Sequence, residues 1–148
     1  MFKHILVSTD GSRLSDKAVA MAVGIASETG ARLTAYHATD PFPAMVYPEY
    51  AAVLDSLRSD EWAELQEKRS QRILEKCRTR AAKAGVKCQT ISGSPLNPFE
   101  GILAAARKSG CDLIVMASHG RRGIKALVLG SETGKVLTHS KIPVLVCR

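Results

Sequence analysis

Apolar residues in this chain follow two rhythms. Five short runs, HILVS at 4–8, LTAYH at 33–37, VKCQTI at 86–91, DLIVMA at 112–117 and PVLVC at 143–147, are rich in valine, isoleucine and leucine and too short for buried helices. They predict strands. Between them the apolar positions recur every three or four residues: Ala18, Met21, Ala22, Ile25 and Ala26 in the first segment, Ile102, Leu103 and Ala106 in the third, Val136 and Leu137 in the last. That spacing predicts helices with one apolar stripe. Strand and helix alternate to the C-terminus, and strands apolar throughout need cover on both sides. The pattern therefore predicts an α/β fold, a single open five-stranded parallel sheet with helices on both faces.

Helix ends carry their own signals. Gly30, Gly85 and Gly110 follow the first three helical segments, where a left-handed residue closes the last turn. The second helix, about 59–84, is long and densely charged; the alternating signs of Glu64, Glu67, Lys68, Arg72, Glu75, Lys76 and Arg80 mark a solvated outer face. Residues 39–57, TDPFPAMVYPEYAAVLDSL, fit no element cleanly. A loop of that length in a compact domain is usually functional or locally mobile, so it is either a lid over the carboxyl ends of the strands or a crossover packed on the sheet edge.

The chain has 148 residues, 45% hydrophobic and 24% charged, which suits one domain over 1–148 that buries roughly 68–70% of its unfolded surface without disulfides or metals. No apolar run approaches the ~18–20 residues of a membrane span, and the N-terminus reaches Asp10 too soon for a secretory segment, so a cytoplasmic protein is expected. Four cysteines without a C-x-x-C pair read as reduced thiols. The four histidines lie in different segments with no i, i+4 pair, which argues against a metal site. The net charge of +7 is compatible with polyanions but common among proteins that touch none, and charge alone does not point to a nucleic-acid partner.

Ligands of open α/β sheets bind outside the carboxyl ends of the strands. That singles out Thr9, Asp10 and Gly11 after the first run, Ala38 and Thr39 after the second, and ASHGRRGIKALVLGSET after the fourth. The last stretch has the content of a phosphate site: Gly120, Gly123 and Gly130 let amides approach an anion, Arg121, Arg122 and Lys125 supply charge, and Ser131 opens a helix. Ser131 either donates to a ligand or serves as the helix N-cap, and Asp10 either faces a ligand or caps the first helix. The stretch from Gly130 to Val136 is not a P-loop, since three residues and not four separate its glycines and Val136 stands where Mg²⁺ needs a hydroxyl. No G-x-G-x-x-G follows any strand.

The blocks ILVSTDGS, the His37-Ala38 pair, Gly93-Ser94-Pro95, DLIVMASHG, LGSET and IPVLVCR resemble, in order and along the whole chain, the universal stress protein family. The resemblance implies a Rossmann-like, adenine nucleotide alpha hydrolase-like sheet in the order 3-2-1-4-5. It also implies a homodimer through the last strand, Pro143 to Cys147, and bound ATP, ADP or AMP, with Mg²⁺ as a companion, in a motif Gly-x-x-Gly, nine residues, Gly-Ser/Thr. Here the second glycine is Gly120, the third with its hydroxyl is Gly130-Ser131, and Ala117 stands where the first glycine belongs. By that match Asp10 meets ribose and adenine, Ala38 meets the base, and Met116 lies beside the nucleotide. Thr9, Ala117, His119, Gly120, Arg121, Gly130, Ser131, Glu132 and Thr133 complete the implied contacts. A carboxylate at Glu132 some 6 Å from a phosphate costs about 1–3 kcal/mol, offset by the loop cations. The expected role is a regulatory or protective binding module in stress response with at most slow ATP hydrolysis; the alternative is a stress dimer that binds no nucleotide and acts through protein contacts.

Overall fold

The computed structural model describes residues 1–51, 59–120 and 129–148. Strands β1 (His4–Ser8), β2 (Arg32–Ala38), β3 (Cys88–Gly93), β4 (Leu113–Ala117) and β5 (Val144–Cys147) form one parallel sheet in the order β3-β2-β1-β4-β5. Successive side chains of a strand point to opposite faces. Ile5 and Val7 enter one core with α1 (Arg13–Thr29) and the long helix that precedes β3, and Leu6 enters the other. β3 begins two residues later than its apolar run because the Val86 amide closes the preceding helix on Ala81 O (2.9 Å). It ends two residues later, pairing Gly93 with Ala38.

The described residues also form α2 (Pro43–Val46), a 3-10 turn (Pro48–Tyr50), α3 (Ser59–Lys83), α4 (Pro98–Ser109) and α5 (Ser131–His139). α1 and α3 cover one face; α4 and α5 supply the core of the other. Met21 and Leu137, counted in the sequence periods, face outward at 51% and 43% exposure, so the buried stripe of α1 runs instead through Ser15, Ala18, Val19, Ala22, Val23 and Ala26. The start of the 39–57 segment packs on the domain, whereas residues 45–49 are exposed. The Thr39 amide donates to Gly93 O (2.7 Å), the Trp62 indole N–H donates to Asp40 O (3.3 Å), and Phe42 meets Trp62 edge-on. Residues 52–58, where a lid would continue, lie outside the described residues. Among the described residues no helix is long and apolar enough to cross a membrane.

All four cysteines are free thiols. Burial pushes Cys77 up to about 12 and Cys111 up to about 11, which leaves about one part in ten thousand and one in a thousand as thiolate near pH 8. Cys88 and Cys147 are only partly buried. With an aromatic disulfide reagent near pH 8, the folded protein should therefore release Cys88 and Cys147 first and keep Cys77 and Cys111 until it unfolds. Four equal rates would contradict this packing.

Candidate functional site

Strand order reverses between β1 and β4, and a cleft of about 260 Å³ opens there outside the carboxyl ends. β1 and the turn after it contribute Ser8, Thr9 and Asp10; β2 and its exit contribute Ala38 and Asp40; β4 and its exit contribute Met116, Ala117, His119 and Gly120. The start of α5 adds Gly130, Ser131, Glu132 and Thr133. Every nucleotide contact implied by the resemblance lines this one cleft except Arg121, which with Gly123, Arg122 and Lys125 lies outside the described residues; Gly11 and Thr39, singled out at the strand ends, do not line it. Ser8, Ser15, Asp40, Pro98 and Ile102 also line it and were not among the expected contacts. Their sequence signal is position alone: Ser8 and Asp40 at or just past strand ends, Ser15 in the first turn of α1, and Pro98 and Ile102 four apart at the start of α4.

The β1–α1 turn is held by a closed set of hydrogen bonds. Gly11 takes φ +77°, a left-handed value that favours glycine, and its amide donates to Thr9 Oγ1 (3.2 Å). Thr9 Oγ1 and Ser15 Oγ are 3.0 Å apart, and Ser15 Oγ donates to Ser12 O (2.9 Å). Both hydroxyls are almost fully buried, so partners of this kind are required rather than optional. The cap of α1 is Ser12, whose Oγ accepts from the Ser15 amide (3.2 Å), and not Asp10. Asp10 instead accepts the Ser12 amide on Oδ1 (3.0 Å) and lines the cleft.

The other wall is built differently. The N-cap of α5 is Gly130, which has no side chain to offer, and Ser131 is the first helical residue rather than the cap. Helix geometry leaves the first amides without intrahelical partners. At α1 the Ser12 side chain takes one of them, while at α5 no side-chain cap bond is made, so this end of the cleft has donors and the positive end of a helix dipole for an anion. The Gly130 amide donates to Ser118 O (2.7 Å), and Thr133 Oγ1 donates to Ala117 O (3.0 Å), which fixes α5 against the end of β4.

Glycine at 120 and 130 answers to close approach, not to a left-handed backbone. A Cβ on Gly120 would stand 2.7 Å from Asp10 Oδ2. One on Gly130 would stand 3.1 Å from Ser118 O and 3.2 Å from His119 Cα. Backbone strain is not the reason at either position: Gly130 has φ −69°, and Gly120 is not among the glycines of positive φ. Glu132 is also not the bare charge its position suggested. Oε2 accepts the Phe99 amide in the first turn of α4 (2.8 Å) and Oε1 pairs with Lys135 (2.9 Å), so the carboxylate joins the two helix starts.

A profile of the universal stress protein family matches residues 1–148. The chain belongs to this family. Universal stress protein YxiE of Bacillus subtilis is 36% identical over 156 residues, with all of both chains covered. Among solved structures, hypothetical protein MJ0577 of Methanocaldococcus jannaschii superimposes with a TM-score of 0.79 at 27% identity, covering 99% of this chain and 96% of that one. A universal stress protein solved in complex with cAMP has a TM-score of 0.70 at 24% identity, covering 99% and 97%; it shares the fold.

In this universal stress protein the departure from the phosphate motif, Ala117, closes β4 with its side chain buried. No non-glycine residue among those described has a positive φ, so the backbone at 117 does not demand glycine.

Proposed function

We propose that this universal stress protein binds an adenine nucleotide, ATP, ADP or AMP, in the cleft between Asp10 and the start of α5, and acts as a regulatory or protective module of the stress response rather than as a dedicated catalyst. One observation carries the proposal. The uncapped first turn of α5 stands across the cleft from Asp10, with Gly130 letting the start of α5 approach the end of β4 and Gly120 leaving room for the Asp10 carboxylate. Phosphates suit the amides of α5 and the Ser131 hydroxyl, the ribose suits Asp10, and the base suits the apolar wall of Ala38, Met116 and Ile102. The cAMP complex of a protein with this fold is in keeping with an adenine nucleotide as the ligand. A triphosphate would bring Mg²⁺ with it and draw on Arg121, Arg122 and Lys125.

Two of the three carboxylates lining the cleft are engaged in holding the fold: Asp10 holds the Ser12 amide, and Glu132 holds Phe99 and Lys135. The third, Asp40, is tied through its backbone to Gln66 and Trp62. Asp10 and Glu132 are thereby not posed as general bases, which favours binding over turnover. Mass spectrometry of small molecules released from the denatured, freshly purified protein tests the proposal. An adenine nucleotide in near-stoichiometric amount supports it, and a ligand of another class overturns it.

Two expectations follow. Ala117→Gly should change ATP affinity by less than about tenfold (1.4 kcal/mol) in calorimetric titration. A wild type that binds nothing, rescued by this substitution alone, would show that the Ala117 methyl closes the site. We also propose that the chain is a homodimer paired through β5, an edge strand whose Leu145 is 36% exposed, since an uncovered edge invites aggregation and an isologous pair removes it. Sedimentation at micromolar concentration should show twice the 15.9 kDa chain mass; a monomer alone would refute the pairing.

A further inference from the structure

The net charge of the chain is concentrated in one place. Between positions 68 and 83, α3 holds seven cations, Lys68, Arg69, Arg72, Lys76, Arg78, Arg80 and Lys83, against one acid, Glu75, a local excess of +6 in a protein of +7. The first turns of the same helix hold Asp60, Glu61, Glu64 and Glu67. Lys68, Arg72, Lys76 and Arg80 are spaced by four residues and Lys83 follows by three, so their side chains form one ridge, and all five are exposed. At 1.5 Å per residue the ridge is about 22 Å long with a cation about every 6 Å.

Like charges at i, i+4 destabilise a helix. The helix dipole accounts for cations only in the last turn, and Lys68, Arg72 and Lys76 are interior to α3. The pairs present are weak ones for solvent to compete with: Lys68 with Glu64, Arg78 with Glu75 and Thr90, and Arg80 donating to Asp16 O. A groove of about 1260 Å³ beside the ridge runs to the edge strand β3, where Thr90 Oγ1 accepts from Arg78 and Ser92 Oγ donates to Glu67; among the described residues Glu67 and Glu75 are its acids. Its lining shares no residue with that of the nucleotide cleft.

We propose that this face of α3 is a sequence-independent docking surface for a nucleic-acid duplex. Its inclined ridge of closely spaced, exposed cations is what contact with a phosphate backbone needs. Single-strand binding adds aromatic platforms for bases, and among the described residues no aromatic lines the groove. The total charge left a nucleic-acid partner unfavoured; the placement of that charge is what changes the conclusion.

Fluorescence anisotropy of a short labelled duplex of mixed sequence, titrated with the full chain, tests this surface. Log affinity should fall against log salt, between about 50 and 200 mM, with a slope of about −4, the value for four or five phosphate contacts. The double variant Arg72→Gln/Lys76→Gln should bind at least about tenfold more weakly at the lower salt, with a slope shallower by about two. Its thermal midpoint should stay the same or rise, because like charges have been removed. Arg107→Gln/Lys108→Gln, at the end of α4, should leave binding unchanged, as should excess AMP. Any of four results overturns the proposal. These are no binding at the lower salt, indifference to the α3 double variant, loss of the duplex to excess AMP, or equally tight binding of a single strand or of polyglutamate.

Discussion

Gly130→Val is expected to reduce nucleotide affinity by at least about a hundredfold (about 2.7 kcal/mol) in calorimetric titration. The atoms that a side chain at 130 would meet are backbone, Ser118 O and His119 Cα, and backbone cannot swing aside as the end of a lysine can. To admit valine, the end of β4 and the start of α5 must separate, which breaks the bond from the Gly130 amide to Ser118 O and moves the uncapped amides of α5 away from Asp10. Overpacking of this kind costs about 1–3 kcal/mol of stability, so the thermal midpoint should fall by several degrees while the far-UV spectrum of the α/β fold persists. A valine variant that binds as the wild type does would show that the ligand does not use this junction.

Asp10→Ala is the second large effect, with a loss of about ten- to a hundredfold in affinity, the range for a hydrogen bond to a charged group. Its diagnostic partner is Gly120→Ala. The added methyl at 120 would meet Asp10 Oδ2, so Gly120→Ala should weaken binding in the wild type by displacing that carboxylate and should cost much less once Asp10 is already alanine. Residues that act through a shared contact are coupled in this way, by about 0.5–3 kcal/mol in a double-mutant cycle. Additive losses in calorimetry would mean that Gly120 serves the ligand directly and not through Asp10.

Much of this architecture was legible because its causes are local. Apolar runs and helical periods mark the strands and helices. Gly30, Gly85 and Gly110 close helices because their φ values, +69°, +71° and +66°, are ones that side chains rarely adopt. Strand order came from family resemblance, since a run such as DLIVMA shows that a strand is buried but not which strand lies beside it. The cleft was found for the same mixed reasons: chain position put Asp10 and Ala38 at strand ends, and the motif put Gly120 and Gly130 opposite them.

What the sequence hid depends on distance in the chain. Glu132 looks like an unmatched charge until the fold brings the Phe99 amide, 33 residues away, against it. Asp10 looks like a helix cap because aspartate often is one, but Ser12, two residues nearer the helix, takes that place. Gly130 reads in the sequence as room for an anion, and only the fold shows Ser118 and His119 of its own chain pressed against it. The cation ridge of α3 was visible residue by residue as a solvated face. Its one-sidedness appears when the helix is divided at Lys68 rather than averaged from end to end.

Calorimetric titration of the folded, nucleotide-stripped protein with ATP, ADP and AMP, beside GTP as a control, is the measurement on which nucleotide binding in this cleft stands or falls. Saturable binding of at least one adenine nucleotide at one per chain is expected, with GTP weaker and with Gly130→Val flat under the same conditions. A wild type that is folded by far-UV circular dichroism yet takes up none of the three, or a Gly130→Val variant that titrates as the wild type does, would contradict it.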